Sequence, residues 1–131
     1  MKICFQPIGI MHCELKTLGE VPKFYTESSS KGKIEIYDPF IEGIKGLEEV
    51  DHIVVIFLFH LSRGYTLRQR RRGSGRLQGV FSLCSPMRPN PVGMSVLRLT
   101  KVDPPFLYVE NVDMVDETPV LDIKPYLPGQ I

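Results

Sequence analysis

The sequence predicts a mostly β, single-domain barrel with little helix, spanning residues 1–131. Three observations predict it. Short apolar or alternating runs recur at close spacing between turn residues. Eleven glycines and eleven prolines punctuate the 131 residues, more breakers than a helix-rich chain tolerates. Helical stretches between successive strands are missing, and so are GxGxxG, P-loop and HExxH motifs, which excludes a doubly wound nucleotide fold.

Each run has its own reason. "KICFQPIGIM" is β-rich, and Pro7 inside it marks an edge strand or a bend. "GEVPKFYTESSSKG" has loop composition. "KIEIYDPF" alternates and breaks at Pro39, and "IEGIKGLEEV" reads as a short helix weakened by Gly43 and Gly46. "DHIVVIFLFHL" is the most apolar run and suits a central strand covered on both faces. "SRGYTLRQRRRGSGRLQ" reads as a polar, mobile loop. "GVFSLC", "GMSVLRLTKV" and "FLYVENVDMV" read as strands, the last two joined by a turn at "DPP". "DETPVLDIKPYLPGQI" holds one more short strand between prolines.

Composition narrows the function classes. The values of 43% hydrophobic and 24% charged residues are those of a chain that folds on a core. A net charge of +1 gives no global attraction for nucleic acid, so such a partner needs a local patch. Cys4, Cys13 and Cys84 are odd in number and scattered, as free thiols of a reducing cytoplasm are. "IVVIFLF" is too short to span a bilayer, which argues against a membrane partner. His12, His52 and His60 have no zinc-ligand spacing to any cysteine, so no metal is expected.

Three constellations carry chemistry. Arg68, Arg70, Arg71, Arg72 and Arg76 crowd "RQRRRGSGR". Guanidinium groups grip phosphate oxygens in pairs, which points to RNA or another polyanion; the plain alternative is a solvated loop. In "SPMRPNPVGMS" three prolines fix φ and bias Ser85, Arg88 and Asn90 to extended conformations. That stiff corner aims Asn90, a donor and acceptor, and Arg88, a donor fork, while Gly93 permits a close approach. In "VDETPVLDIKPYLP" Asp116, Glu117 and Asp122 gather near Thr118, Lys124 and Tyr126, able to accept from hydroxyls or balance a cation. His60, at the end of the apolar strand, is a further candidate.

"GVFSLCSPMRPNPVGMS" followed by "VDETPVLDIKPYLP", with "PIGI" at Pro7–Ile10 and "FLFH" ending at His60, resembles the TsaA-like (TrmO-type) tRNA methyltransferase family over nearly the whole chain. The resemblance implies a β-barrel that binds S-adenosylmethionine without a Rossmann fold, as a homodimer with cofactor near the subunit interface. It implies methylation of N6 on threonylcarbamoyl-adenosine next to the anticodon of tRNA. The cofactor contacts it implies fall on Pro22, Lys23, Phe24, His60, Leu61, Cys84, Met94, Asp116, Glu117, Thr118 and Pro119.

The chain departs from the family pattern at several of these positions. It has "PKF" for "PRQ", His60-Leu61 for His-Gln, "LCSP" for "TRSP" and "DETP" for "DGTP". Methyl transfer from a sulfonium is an in-line displacement that needs alignment above all. Asn90 and Asp116 are the expected acceptors for the amine proton, with Tyr126 assisting, and Arg88 joins the loop arginines in holding the anticodon arm. Two other readings stay open: a non-catalytic binder of S-adenosylmethionine or RNA, and a methyltransferase for another acceptor.

Overall fold

The computed structural model describes residues 1–16 and 29–129. Eight strands form: β1 (Gly9–Cys13), β2 (Lys31–Ile36), β3 (His52–Leu58), β4 (Arg68–Arg70), β5 (Leu77–Gly79), β6 (Val92–Asp103), β7 (Phe106–Glu110) and β8 (Pro119–Pro125). Six of them close a barrel in the order β1-β2-β7-β6-β3-β8, and β4 pairs with β5 in a separate hairpin. Every pairing is antiparallel.

Alternation builds the interior. Ile34 and Ile36 of β2, Ile53, Val55 and Phe57 of β3, and Leu107 and Val109 of β7 are all buried, as the period-two pattern of each strand requires. The sequence expects β3 to be covered on both faces; Val54, pointing the other way, is buried too. The inward row of β6 reads Gly93, Ser95, Leu97, Leu99. It is small at one end and large in the middle.

Strand β6 is shared between two neighbours. Its first half pairs with β3, from Val92↔Leu58 to Arg98↔His52, and its second half with β7, from Arg98↔Glu110 to Asp103↔Phe106. The register slips between Leu99 and Lys101, and such a bulge bends a strand and raises its twist. A second irregularity lies between Ile56 and Phe57, opposite Asp122 and Val120 of β8.

Four local expectations change. Strand β1 begins only at Gly9, because Pro7 has no N–H to give a ladder; residues 1–7 are exposed. The expected helix is two 3-10 segments, Asp38–Ile44 and Leu47–Glu49, separated where Gly46 takes φ 97°. "GVFSLC" is not a strand: Val80–Ser82 form a 3-10 turn, with Ser82 Oγ donating to the Gly79 carbonyl at 2.7 Å. Such local bonds compete with a ladder. Lastly, the arginine segment is an ordered hairpin, with Arg71 N–H bonded to the Arg76 carbonyl and Gly73 and Gly75 supplying positive φ in its turn.

Candidate functional site

The candidate site lies at the barrel end where β3 finishes. There the chain continues through Phe59, His60 and Leu61. Two other segments meet it. The proline segment 85–91 is tied on by Phe59 N–H to the Pro91 carbonyl at 2.7 Å and Ser62 Oγ to the Pro86 carbonyl at 2.9 Å. The turn 113–118 precedes β8 and leans on β1: Asp116 N–H donates to Leu15 and Glu117 N–H to Met11.

Between them is a narrow cleft of about 30 Å³, lined by Phe57, Phe59, His60, Leu61, Asp113 and Thr118 among others. Its walls follow from the β6 taper. A Cβ at Gly93 would strike the rings of Phe57 and Phe59, so only glycine lets these edge-to-face rings, 5.1 Å apart, stand against the strand. Ser95 is 1% exposed, and its hydroxyl donates to Asp113 Oδ1 at 2.7 Å. Thr118 is also buried and donates to the Val115 carbonyl at 2.7 Å, which closes the turn. His60 Nδ1 is buried without a hydrogen-bond partner. Buried polar nitrogens are rarely left so unless something else is to be received there.

The turn carries charge under control. Asp116 Oδ1 accepts from Cys13 N–H at 2.9 Å and Oδ2 from Lys16 Nζ at 2.7 Å. Burial pushes the Asp116 carboxyl up, but these bonds outweigh it and hold the carboxyl below its ordinary value. The same bond raises Lys16. Burial raises the Cys13 thiol, with the Asp116 charge adding to the effect, and the thiol donates to the Met114 carbonyl. Glu117 sits at φ 66°, in the left-handed region where glycine is favoured. The glycine of the family's "DGTP" is thereby explained, and Glu117 is the departure that strains the backbone.

The proline segment is stiff as expected, with Arg88 N–H bonded to the Pro86 carbonyl and Val92 N–H to the Asn90 carbonyl. These are tight turns rather than fully extended chain. Asn90 is exposed and stands at the same barrel end as Asp116. Arg88 Nη1 donates to the carbonyls of Leu83 and Ser85, so its guanidinium pins the segment from within. Gln69 of the hairpin gives its amide hydrogens to the Thr66 carbonyl at 2.9 Å and the Met87 carbonyl at 2.6 Å. The basic hairpin is thus fastened to the proline segment.

Not every expected residue gathers here. His60, Leu61 and Thr118 line the cleft, and Asp116, Glu117 and Pro119 flank it on the same turn and the strand that follows. Cys84 is exposed beside the proline segment, and Met94 is 56% exposed on the outward face of β6. Tyr126 is elsewhere. Its N–H bonds the His52 carbonyl and its ring meets His52 edge-on, at the end where β3 begins. About 20 Å of extended chain separates it from the cleft, so within one chain it does not assist Asn90 or Asp116. Asp122 pairs with Lys124 at 2.7 Å on the surface. Pro22, Lys23 and Phe24 lie outside the described residues. Sequence reasoning missed Ser95 and Asp113; the signal available was a serine in an otherwise aliphatic inward row.

A wider depression, lined by Ile41, Lys45, Glu48 and Pro104, opens at the other barrel end. Among the described residues no orphaned polar atom lines it. Among the described residues no group of three His, Cys, Asp or Glu is placed to hold a metal, and no helix is long and apolar enough to cross a membrane.

Comparisons with known proteins agree with this architecture. The tRNA-methyltransferase O N-terminal domain family matches residues 10–130. The tRNA (adenine(37)-N6)-methyltransferase of Escherichia coli strain K12 is 36% identical over 95% of this chain and 57% of its own length. An S-adenosyl-L-methionine-binding protein of Archaeoglobus fulgidus is 33% identical over 94% of this chain and 88% of its own. A crystal structure of TrmO superposes with a TM-score of 0.83 at 33% identity, covering 99% of this chain and 60% of the other. The chain therefore spans somewhat over half of the bacterial enzyme and of the solved TrmO chain, and most of the archaeal relative. It belongs to the tRNA-methyltransferase O N-terminal domain family.

Proposed function

We propose that this chain is an S-adenosylmethionine-dependent methyltransferase that methylates N6 of threonylcarbamoyl-modified adenosine next to the anticodon of tRNA. One observation carries the reading: His60, whose Nδ1 is buried without a hydrogen-bond partner, lines the cleft with Phe57, Phe59 and Thr118, in a chain whose relatives are named for this donor and this reaction. The residues fit the donor. The edge-to-face rings of Phe57 and Phe59 provide an apolar wall, His60 a polar side chain, and the 116–119 turn further backbone groups.

When bound, S-adenosylmethionine supplies an electrophilic methyl group on a sulfonium. The chain's own residues do the rest by positioning. His60, Leu61, Cys84, Met94, the Asp116–Pro119 segment and residues Pro22–Phe24 hold the donor. Asn90, on its braced corner, accepts from the adenine amine N–H and draws its lone pair toward the methyl. Asp116, kept ionised by Lys16 and the Cys13 N–H, is the second acceptor at this end. Arg68, Arg70, Arg71, Arg72 and Arg76 on the hairpin grip the anticodon arm, and Arg88 braces the corner they are fastened to. Reaction in the cytoplasm suits three free thiols.

A homodimer completes the site in this proposal. Leu67, Leu77, Phe81, Met87 and Met94 are exposed around the hairpin and proline segment. Clustered apolar exposure of this kind marks an interface. The cleft of one chain encloses only about 30 Å³, roughly tenfold below the 300 Å³ or more of small-molecule pockets, so one chain alone does not enclose the donor and a wall from a second copy completes the site. Analytical sedimentation tests this; a monomer at all concentrations refutes it.

The second reading, a binder without chemistry, is favoured by Cys84 and Leu61, which lack the donors the family has there. The deciding experiment incubates the protein with methyl-labelled S-adenosylmethionine and total tRNA from cells lacking their own enzyme. Label in a single modified adenosine supports the methyltransferase. Intact donor binding without label in any RNA refutes it and supports the binder.

A further inference from the structure

We propose that Ser62 is a positioning residue for methyl transfer: its hydroxyl, donating to the Pro86 carbonyl at 2.9 Å, locks the segment that holds the donor to the corner that presents the acceptor. The inference rests on the reading above, in which His60 and Leu61 hold the donor and Asn90 receives the adenine amine. In-line displacement asks that nitrogen, methyl carbon and sulfur lie on one line, and a misplacement of about 1 Å costs on the order of a hundredfold in rate. The relation between those two segments is therefore what the protein has to fix.

Each segment is stiff in itself. On the donor side His60 N–H bonds the Leu58 carbonyl and Ser62 N–H the Phe59 carbonyl. Arg63 Nη1 donates to the carbonyls of His60 and Ser62, both at 3.0 Å. On the other side Arg88 holds the proline segment from within, and Gln69 joins it to the arginine hairpin through the Met87 carbonyl. These are two bodies, and neither set of bonds sets the angle between them.

Two further bonds do. Phe59 N–H reaches the Pro91 carbonyl at 2.7 Å, and Ser62 Oγ reaches the Pro86 carbonyl. They grip the segment at its two ends, with Arg88 and Asn90 between. One attachment leaves a pivot; two fix an orientation. The first is main chain, next to the β3–β6 ladder, and persists in any side-chain variant. The second depends on one hydroxyl. The Pro86 carbonyl also accepts the Arg88 N–H at 3.0 Å, so both its lone pairs are used and its direction is set. Ser62 is half-buried, where water competes less for the bond than at the open surface. Without that hydroxyl, corner and hairpin turn together about the Phe59–Pro91 tie, and Asn90 leaves the line of attack while donor and RNA are still held.

The test is Ser62→Ala on the whole chain, with Ser62→Thr as the variant that keeps the hydroxyl. The readouts are single-turnover transfer of labelled methyl from S-adenosylmethionine to tRNA from cells lacking their own enzyme, the affinity for each ligand, and amide hydrogen exchange of the free protein at Phe59 and Arg88. Ser62→Ala is expected to slow transfer about tenfold and to leave both affinities within about threefold. Exchange at the two amides rises several-fold, as the loss of one tie allows. Ser62→Thr returns transfer and exchange to within about threefold of wild type. Ser62→Cys, a weaker donor of nearly the same shape, falls between wild type and alanine, and serves if the alanine variant does not fold. Unchanged transfer in Ser62→Ala, equal losses in transfer and donor affinity, a loss of transfer with exchange unaltered, or no rescue by threonine each overturns the inference and leaves the functional reading standing. Wild type that binds donor and RNA but transfers no methyl refutes the functional reading and this inference with it.

Discussion

Replacing Glu117 by glycine is expected to stabilise the protein. The residue holds φ 66°, a left-handed conformation that costs an L-residue with a Cβ roughly 1–2 kcal/mol. Glycine removes that cost but loses more freedom on folding, about 0.5–1 kcal/mol. The balance is a gain of about 0.5–1 kcal/mol, a rise in melting temperature of roughly 2–4 °C for a chain of this size. Nothing else of consequence is lost, because the side chain is exposed and the backbone bond from Glu117 N–H to the Met11 carbonyl persists. Thermal and urea unfolding measure it. Glu117→Ala is the control: it removes the charge but keeps the Cβ, so it brings no gain. Asn111, at φ 69°, is a residue type that tolerates this region, and Asn111→Gly should change stability less. Stabilisation by alanine equal to that by glycine would refute the backbone argument and assign the effect to charge.

Further outcomes follow from the site. Gly93→Ala drives a methyl into Phe57 and Phe59 and should destabilise by about 1–3 kcal/mol; unfolding at the wild-type midpoint contradicts the tapered wall. Asp116 is held below its ordinary carboxyl value, so its contribution is present at neutral pH and is lost as pH falls through the folded-state value. The difference in urea midpoint between wild type and Asp116→Asn should therefore shrink below about pH 4; a constant difference down to pH 3 removes the ion pair from the account. Replacing the five hairpin arginines by glutamine should weaken tRNA binding and flatten its salt dependence, and an unaltered slope returns them to solvent. Asn90→Ala should reduce methyl transfer more than donor affinity, and equal losses in both take Asn90 off the list of acceptors.

The barrel was legible because its signals are local. Alternation in "KIEI" and the apolar run of β3 each specify a strand without reference to the rest, and the turn at "DPP" separates β6 from β7 as read. The hairpin was not legible, since nothing apolar alternates in "RQRRRGSGR"; its order comes from the ladder to Leu77–Gly79 and from the Gln69 amide. The long reach of β6 across two partners depends on a bulge that no residue type announces. At the candidate site, the stiffness of the proline corner and the turn ahead of Pro119 were readable from their prolines. Ser95 and Asp113 were not, because a serine in a strand declares its partner only once the strand is rolled. Tyr126 shows the converse: nearness in sequence to Asp116 placed it across the barrel, because β8 runs the full height between them.

The amide of Gln69 has a wider consequence. Both of its hydrogens are engaged, one within the hairpin and one on Met87 of the proline segment. The arginine hairpin and the corner that carries Asn90 are therefore joined into one unit. In the proposed function that join would hold an RNA backbone on the arginines in register with Asn90 before any base arrives, making alignment a property of the free protein rather than of the encounter. A carboxylate at position 69 would turn both bonds into repulsions and leave hairpin and corner to find each other anew at every visit.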